Sequence, residues 1–131
     1  MDKQTATHSL LYVSWYHFKY SNFLVVFLEE LFMLNITKTI KNKEADFALE
    51  GRLNTVTAPE LEKELKTSLD GITELRMDFE KLDYISSAGL RVLLSAQKQM
   101  NKQGTMTLHH VNQTILEIFE VTGFSDILTV E

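Results

Sequence analysis

From Leu34 onward, apolar residues recur with the two periods that separate strands from helices. Leu34–Ile40 (LNITKTI) alternates well enough for a strand. Glu44–Gly51 (EADFALEG) sets Ala45, Phe47 and Leu49 against Glu44, Asp46 and Glu50, the pattern of a strand buried on one face. Asn42, in the short polar link between them, predicts a hairpin. Thr57-Ala-Pro-Glu60 has capping-box spacing, with Pro59 tolerated in a first helical turn. The helix it opens carries Leu61, Leu65 and Leu69 on one face and ends at Asp70-Gly71. Glu74–Leu82 (ELRMDFEKL) is the cleanest strand, with Leu75, Met77 and Phe79 opposed to Glu74, Arg76, Asp78 and Glu80. After Asp83-Tyr84-Ile85, Ser86-Ser87-Ala88-Gly89 leads into a helix bearing Leu90, Leu93, Leu94 and Met100, which stops at Gly104. Lys98 and Lys102 suit the negative end of its dipole. Thr105–His109 is a short strand, Asn112 caps a last helix through Ile115, Ile118 and Phe119 to Gly123, and Ile127–Val130 closes the chain. The order β-β-α-β-α-β-α predicts an α/β fold, a small mixed sheet flanked by helices and joined by right-handed crossovers.

Composition divides the 131 residues in two. Eight of the 13 aromatics fall within residues 1–32, and that opening carries a net charge of −1 against −4 for residues 33–131. Leu10–Leu28 has the length of a bilayer span, but His17, Lys19, Ser21 and Asn22 sit at its centre, where lysine is costly. A signal peptide would need a basic start and small residues at a cleavage site, and neither is clear. Glu29-Glu30 must be encoded by purine-rich codons, two codons before Met33, as a ribosome-binding sequence before a start would be. Residues 1–32 are thus read as an extension, either a misassigned start or a poorly packed segment, with a membrane anchor as the alternative; residues 33–131 are read as the domain.

The chain has no cysteine, which excludes disulfides, thiolate metal sites and thiol nucleophiles. A formal net charge of −5 disfavours nucleic acid and anionic membranes as partners. These features suit a cytoplasmic domain. Enzyme readings are weak. No Walker A or G-x-G-x-x-G sequence follows a strand, so the chain brings no phosphate cradle of its own. Neighbours His109 and His110 point to opposite faces of a strand and cannot easily share one metal. A nucleophilic Ser87 has Asp83 nearby but no histidine placed to activate it. Asn112-Gln113-Thr114 matches a glycosylation sequon, though its asparagine reads better as a helix cap. What remains is the corner Ser86-Ser87-Ala88-Gly89-Leu90-Arg91. On a structural reading one serine is an N-cap and Gly89 permits close packing; on a functional one Ser87 presents its hydroxyl at a helix N-terminus that favours phosphate, with Arg91 one turn on.

Three blocks carry a family resemblance. Tyr84-Ile-Ser-Ser-Ala-Gly-Leu-Arg-Val-Leu-Leu94 resembles the signature of STAS domains, in particular of bacterial anti-sigma factor antagonists. Leu49-Glu-Gly-Arg-Leu-Asn-Thr-Val-Thr-Ala58 is similar to the family's G-R-L-D-x-x-T-A element, and Val121-Thr-Gly-Phe-Ser-Asp-Ile127 to its closing element. The resemblance runs from Leu34 to Glu131 and leaves residues 1–32 without a counterpart. It implies a sheet of four to five strands and a partner-switching role without catalysis. The unmodified antagonist binds an anti-sigma factor that is also a serine kinase and so frees the sigma factor. The kinase phosphorylates a serine that corresponds to Ser87, and a PP2C-type phosphatase reverses the step; ATP and Mg²⁺ belong to the kinase. Strand-to-helix loops on one edge of such a sheet lie together, so Asn54 and Thr55 are expected beside Ser86 and Ser87; with Ala88, Gly89, Leu90 and Arg91 they are the expected partner-binding residues, Leu90 as an apolar anchor. Ser86 replaces the family's frequent Asp, Ala88 its second hydroxyl residue, and Asn54 its usual Asp. A STAS module serving as a non-switching adaptor, in lipid transport or a stress-signalling scaffold, is the alternative.

A chain begun at Met33 is expected to be soluble and to melt at least as high as the full chain. Intact-mass measurement of the native protein checks the reading, and a native N-terminus at Asp2 would contradict it.

Overall fold

Asn42 takes the left-handed backbone (φ 57°) that a tight turn demands. With Lys43 it joins β1 (Leu34–Lys41) to β2 (Glu44–Leu53) in an antiparallel hairpin, Lys41 opposite Glu44. The structure, a computed structural model, describes residues 33–131, and the expectations for residues 1–32 lie outside them. Helix α1 (Ala58–Ser68) leads from β2 to β3 (Glu74–Ile85), and helix α2 (Ser87–Gln103) from β3 to β4 (Thr105–His109). Helix α3 (Gln113–Thr122) and a single 3-10 turn, Phe124–Asp126, complete the chain. The sheet order is β1-β2-β3-β4, with β3 parallel to both its neighbours. The predicted element order is found. The closing segment adds no full strand: Leu108 and Val130 form one bridge, in which the Leu108 N–H donates to Thr129 O at 2.9 Å.

Alternation along the strands decides which face of the sheet is covered. Ala45, Phe47, Leu49 and Leu53 of β2 are buried, while Glu44, Ala48 and Glu50 are exposed. On the covered side they meet Leu61 and Leu65 of α1 and Leu93, Ala96 and Met100 of α2 in one core. Lys38 of β1 spans to α1, its ammonium 2.8 Å from Glu64 and donating to Ser68 Oγ at 3.0 Å. The opposite face is polar. At its centre Arg76 donates to both oxygens of Asp46, at 2.7 and 3.2 Å, and to Glu74 at 3.1 Å. The Arg76 hydrogen bond holds the Asp46 carboxyl below its ordinary range, against partial burial.

β3 runs three residues past its expected end at Leu82, and it gains one residue on β2 at each of two bulges. Asp78 and Lys81 lie opposite Ala48 and Glu50, and Leu82 and Tyr84 opposite Gly51 and Arg52. Each bulge turns the strand by one position. Phe79, Leu82 and Ile85, spaced by three, therefore all reach the core. The strand ends on Ile85, opposite Leu53, and this alignment brings two strand-to-helix loops together.

The turn from α2 into β4 runs close against β3: Gly104 N–H closes the helix on Met100 O at 2.6 Å, and Thr105 N–H donates to Thr73 O at 3.0 Å. A methyl group on Gly104 would overlap the Thr73 carbonyl, whereas Gly71, at φ 78°, faces open space. Gly104→Ala is expected to cost about 2–3 kcal/mol through forced backbone movement. Gly71→Ala should cost about 1 kcal/mol, from its left-handed backbone alone. Urea unfolding of both variants checks the order.

Candidate functional site

The ends of β2 and β3 are tied together by one backbone hydrogen bond, from Ser86 N–H to Leu53 O at 2.9 Å. Ser86 is extended (φ −103°, ψ 176°), and its carbonyl accepts the first bond of α2, from Leu90 N–H at 2.9 Å. Helix geometry leaves the N–H groups of Ser87, Ala88 and Gly89 without an intrahelical acceptor, at the positive end of the dipole. Ser87 is the first residue of this helix and is exposed. A serine N-cap is expected here; Ser86 occupies that position, but its side chain makes no capping bond. Its Oγ is turned into the protein and, among the described residues, has no hydrogen-bond partner.

The facing loop is built by Asn54. Its Oδ1 accepts from Val56 N–H at 3.0 Å and Thr57 N–H at 3.1 Å, and its carbonyl accepts from Ala58 N–H at 2.8 Å. This corrects the capping box expected from Thr57 and Glu60. The Thr57 side chain makes no cap bond; it is buried, its hydroxyl donates to Arg52 O at 2.7 Å and accepts from Asn54 N–H at 2.9 Å. Thr57 pins the loop to the end of β2, and Asn54 holds the turn before the helix with its side chain and the first helical N–H with its carbonyl.

Between the two helix starts lies a groove of about 310 Å³ lined by Thr55, Ala58, Pro59, Glu62, Ala88 and Arg91. Thr55, Ser87 and Arg91 are exposed, and Asn54, Ser86 and Ala88 half-buried. Two expected contact residues are not on the surface. Leu90 is only 6% exposed and belongs to the core, which corrects its reading as the apolar anchor. Gly89 is buried as well. A Cβ there would stand 2.7 Å from Leu53 Cγ and 2.8 Å from Ile85 Cγ1, so the glycine lets α2 seat on the strand ends. Helical periodicity already sets Leu90 on the face of Leu93 and Met100, and the structure follows it. The residue that sequence reasoning missed is Val56, 59% exposed in the same loop. Its signal was an isolated apolar side chain between two threonines. Tyr84, 37% exposed, lies beneath the Arg52 guanidinium, 4.3 Å from the ring centre. The corner thus offers a hydroxyl at a helix start, a cation one turn on, and small polar and apolar side chains around them. Among the described residues, no helix is long and apolar enough to cross a membrane.

Comparison with known proteins bears on the family and the fold. The STAS domain profile matches residues 34–131. BtrV of Bordetella bronchiseptica, named as a candidate anti-sigma factor antagonist, is 42% identical over 84 residues, covering 63% of this chain and 72% of BtrV. The anti-sigma-B factor antagonist of Listeria monocytogenes is 30% identical over 104 residues, covering 75% of this chain and 90% of the relative. Among solved structures, the phosphorylated form of the Bacillus cell fate determinant SpoIIAA superposes with a TM-score of 0.59 at 16% identity, covering 76% of this chain and 91% of its own. That likeness shows the fold.

Asn54→Ala removes the acceptor for two N–H groups and is expected to cost about 1 kcal/mol, the usual worth of a cap. Thr55→Ala should stay within about 0.5 kcal/mol. Urea denaturation distinguishes a loop built by Asn54 from one in which both residues merely face solvent.

Proposed function

This chain belongs to the STAS domain family, and we propose that it acts as an anti-sigma factor antagonist switched at Ser87. Unmodified, it docks through the corner on an anti-sigma factor that is a serine kinase, and the sigma factor goes free in the cytoplasm. Phosphorylated on Ser87, it releases the kinase, and a PP2C-type phosphatase restores it. The chain itself is not catalytic; ATP and Mg²⁺ come with the kinase. The observation that carries this reading is an exposed Ser87 as the first residue of α2, facing the Asn54–Thr57 loop across the Ser86–Leu53 bond. Thr55, Val56, Ala88 and Arg91 form the contact surface, with Ser86 at its edge. Asn54, Gly89 and Leu90 hold its shape from beneath.

The physics of the switch follows from that placement. A phosphate on Ser87 meets unpaired N–H groups at a helix start, so the domain need not unfold to carry it. It adds about −1.5 to −2 charges, which takes residues 33–131 from −4 to roughly −6. Inside a docked interface the dianion must be desolvated and faces the kinase's own nucleotide, so binding suffers more than folding. A loss of about 3 kcal/mol weakens binding more than a hundredfold. The adaptor reading rests on one observation. Ser86 stands where the family's frequent Asp would orient the hydroxyl, and its Oγ has no partner among the described residues.

Incubation with the cognate kinase and labelled ATP, followed by phosphosite mapping, tests the proposal. Label is expected on Ser87, and none on Ser87→Ala, which should bind the kinase without release. Ser87→Asp should bind poorly, and Ser86→Ala should still be labelled. Tight binding with no label on the wild type would favour the adaptor, and label on Ser86 would overturn the assignment. Thr55→Arg should leave stability unchanged while weakening kinase binding at least about tenfold; unchanged affinity by calorimetry would put the interface elsewhere.

A further inference from the structure

The polar face of the sheet holds a second cluster, remote in chemistry from the corner. His109 and His110 part company at the end of β4, their ring centres 6.5 Å apart and their planes tilted by 56°. His109 stays in the strand, its Nε2 2.9 Å from Thr107 Oγ1. His110 adopts a left-handed backbone (φ 57°), which carries its ring back over β3. There its Nδ1 lies 2.9 Å from Asp78 Oδ1. Glu80, two residues along β3, shares the face of Asp78 at the first bulge, and its N–H donates to Asp78 Oδ1 at 2.9 Å. One ligand atom each from Asp78, Glu80 and His110 lie within 4.8 Å of one another.

We propose that Asp78, Glu80 and His110 form a binding site for a divalent first-row transition-metal ion such as Zn²⁺. The argument is one of distance and donor type. Imidazole and carboxylate donors bind zinc at about 2.0–2.2 Å. Neighbouring donors around one tetrahedral or octahedral ion therefore stand about 3.0–3.5 Å apart. The Nδ1–Oδ1 separation of 2.9 Å is already close to that spacing. The ion takes the place of the proton shared between ring and carboxylate. Glu80 is exposed, and rotation about its side-chain bonds can close the remaining gap. Asp78 is held by a backbone N–H and is the preorganised member. One imidazole and two carboxylates on one side leave the other positions to water. A nitrogen donor favours zinc, nickel or cobalt over magnesium and calcium, which prefer all-oxygen shells. The side chains of His110 and Asp78 are 64% and 42% exposed, so ions reach the site from solvent without any opening of the fold.

Calorimetric titration of the full chain with ZnCl₂, and separately with MgCl₂, tests the site. Saturable zinc binding is expected, with no heat from magnesium. His110→Ala and Asp78→Asn should each weaken zinc binding at least about tenfold, while His109→Ala should not. His8 and His17 are the chain's other histidines. Zinc binding that survives His110→Ala unchanged would assign the ion elsewhere and overturn the proposal, as would no binding to the wild type. Should a variant fold poorly, paramagnetic Co²⁺ added to the wild type decides instead. Broadening of the backbone signals of Asp78, Glu80 and His110 supports the site, and broadening confined to other residues refutes it.

Discussion

The parallel pairing of β2 with β3 fixes where everything else in this protein sits. Parallel neighbours force the chain to cross back over the sheet, and α1 is that crossover. Both strands therefore end at the same edge, and each hands over to a helix there. The bond from Ser86 N–H to Leu53 O closes the two ends against each other. Two helix starts, with their unpaired donors, come to lie side by side as a result. Packing below is tight enough to leave no freedom: Gly89 sits against Leu53 and Ile85, and Leu90 fills the core beneath the loop. On the proposed reading, phosphate at Ser87 changes the charge of this surface without requiring the domain to unfold.

The two faces of the sheet divide the chemistry. On the covered face, burial of Phe47, Leu49, Leu75, Met77 and Phe79 supplies the driving force of the fold. On the open face, Arg76 gathers Asp46 and Glu74, and His110 reaches Asp78. These exposed pairs contribute little to stability. Their interest is chemical: the strand ladder sets the carboxylates of Asp46, Glu74 and Asp78, and the left-handed turn just after β4 brings the His110 imidazole to Asp78. The corner, by contrast, relies on backbone donors and one hydroxyl. Neither cluster borrows a residue from the other.

Much of this was legible in the residues. Alternation in EADFALEG and ELRMDFE marks two half-buried strands, and Asn112 accepts from Ile115 N–H as a cap should, at 2.9 Å. Ser87 was found as the start of α2 because serine, alanine and glycine before a leucine repeat have few other uses. What escaped reading has a common cause, which is that it depends on contacts across the fold. The bulges of β3 are set by β2 and make Phe79, Leu82 and Ile85 share a face that simple alternation denies them. Thr57 has the spacing of a cap but spends its hydroxyl on Arg52 O, while Asn54 Oδ1 holds the turn before the helix through Val56 and Thr57 N–H. Leu90 follows the apolar spacing of Leu93 and Met100 into the core, so its reading as an anchor went against the helix period. The left-handed turn at His110, which pairs it with an aspartate 32 positions away, has no local signature.

The account stands on the corner being the docking surface. Amide chemical-shift mapping of the isotope-labelled chain, titrated with the cognate anti-sigma kinase, tests that most directly. The largest shifts are predicted at Asn54–Ala58 and Ser86–Arg91, and loss of the same shifts is predicted once Ser87 carries phosphate. Shifts centred instead on the open sheet face, around Asp46 and Arg76, with the corner silent, would contradict it.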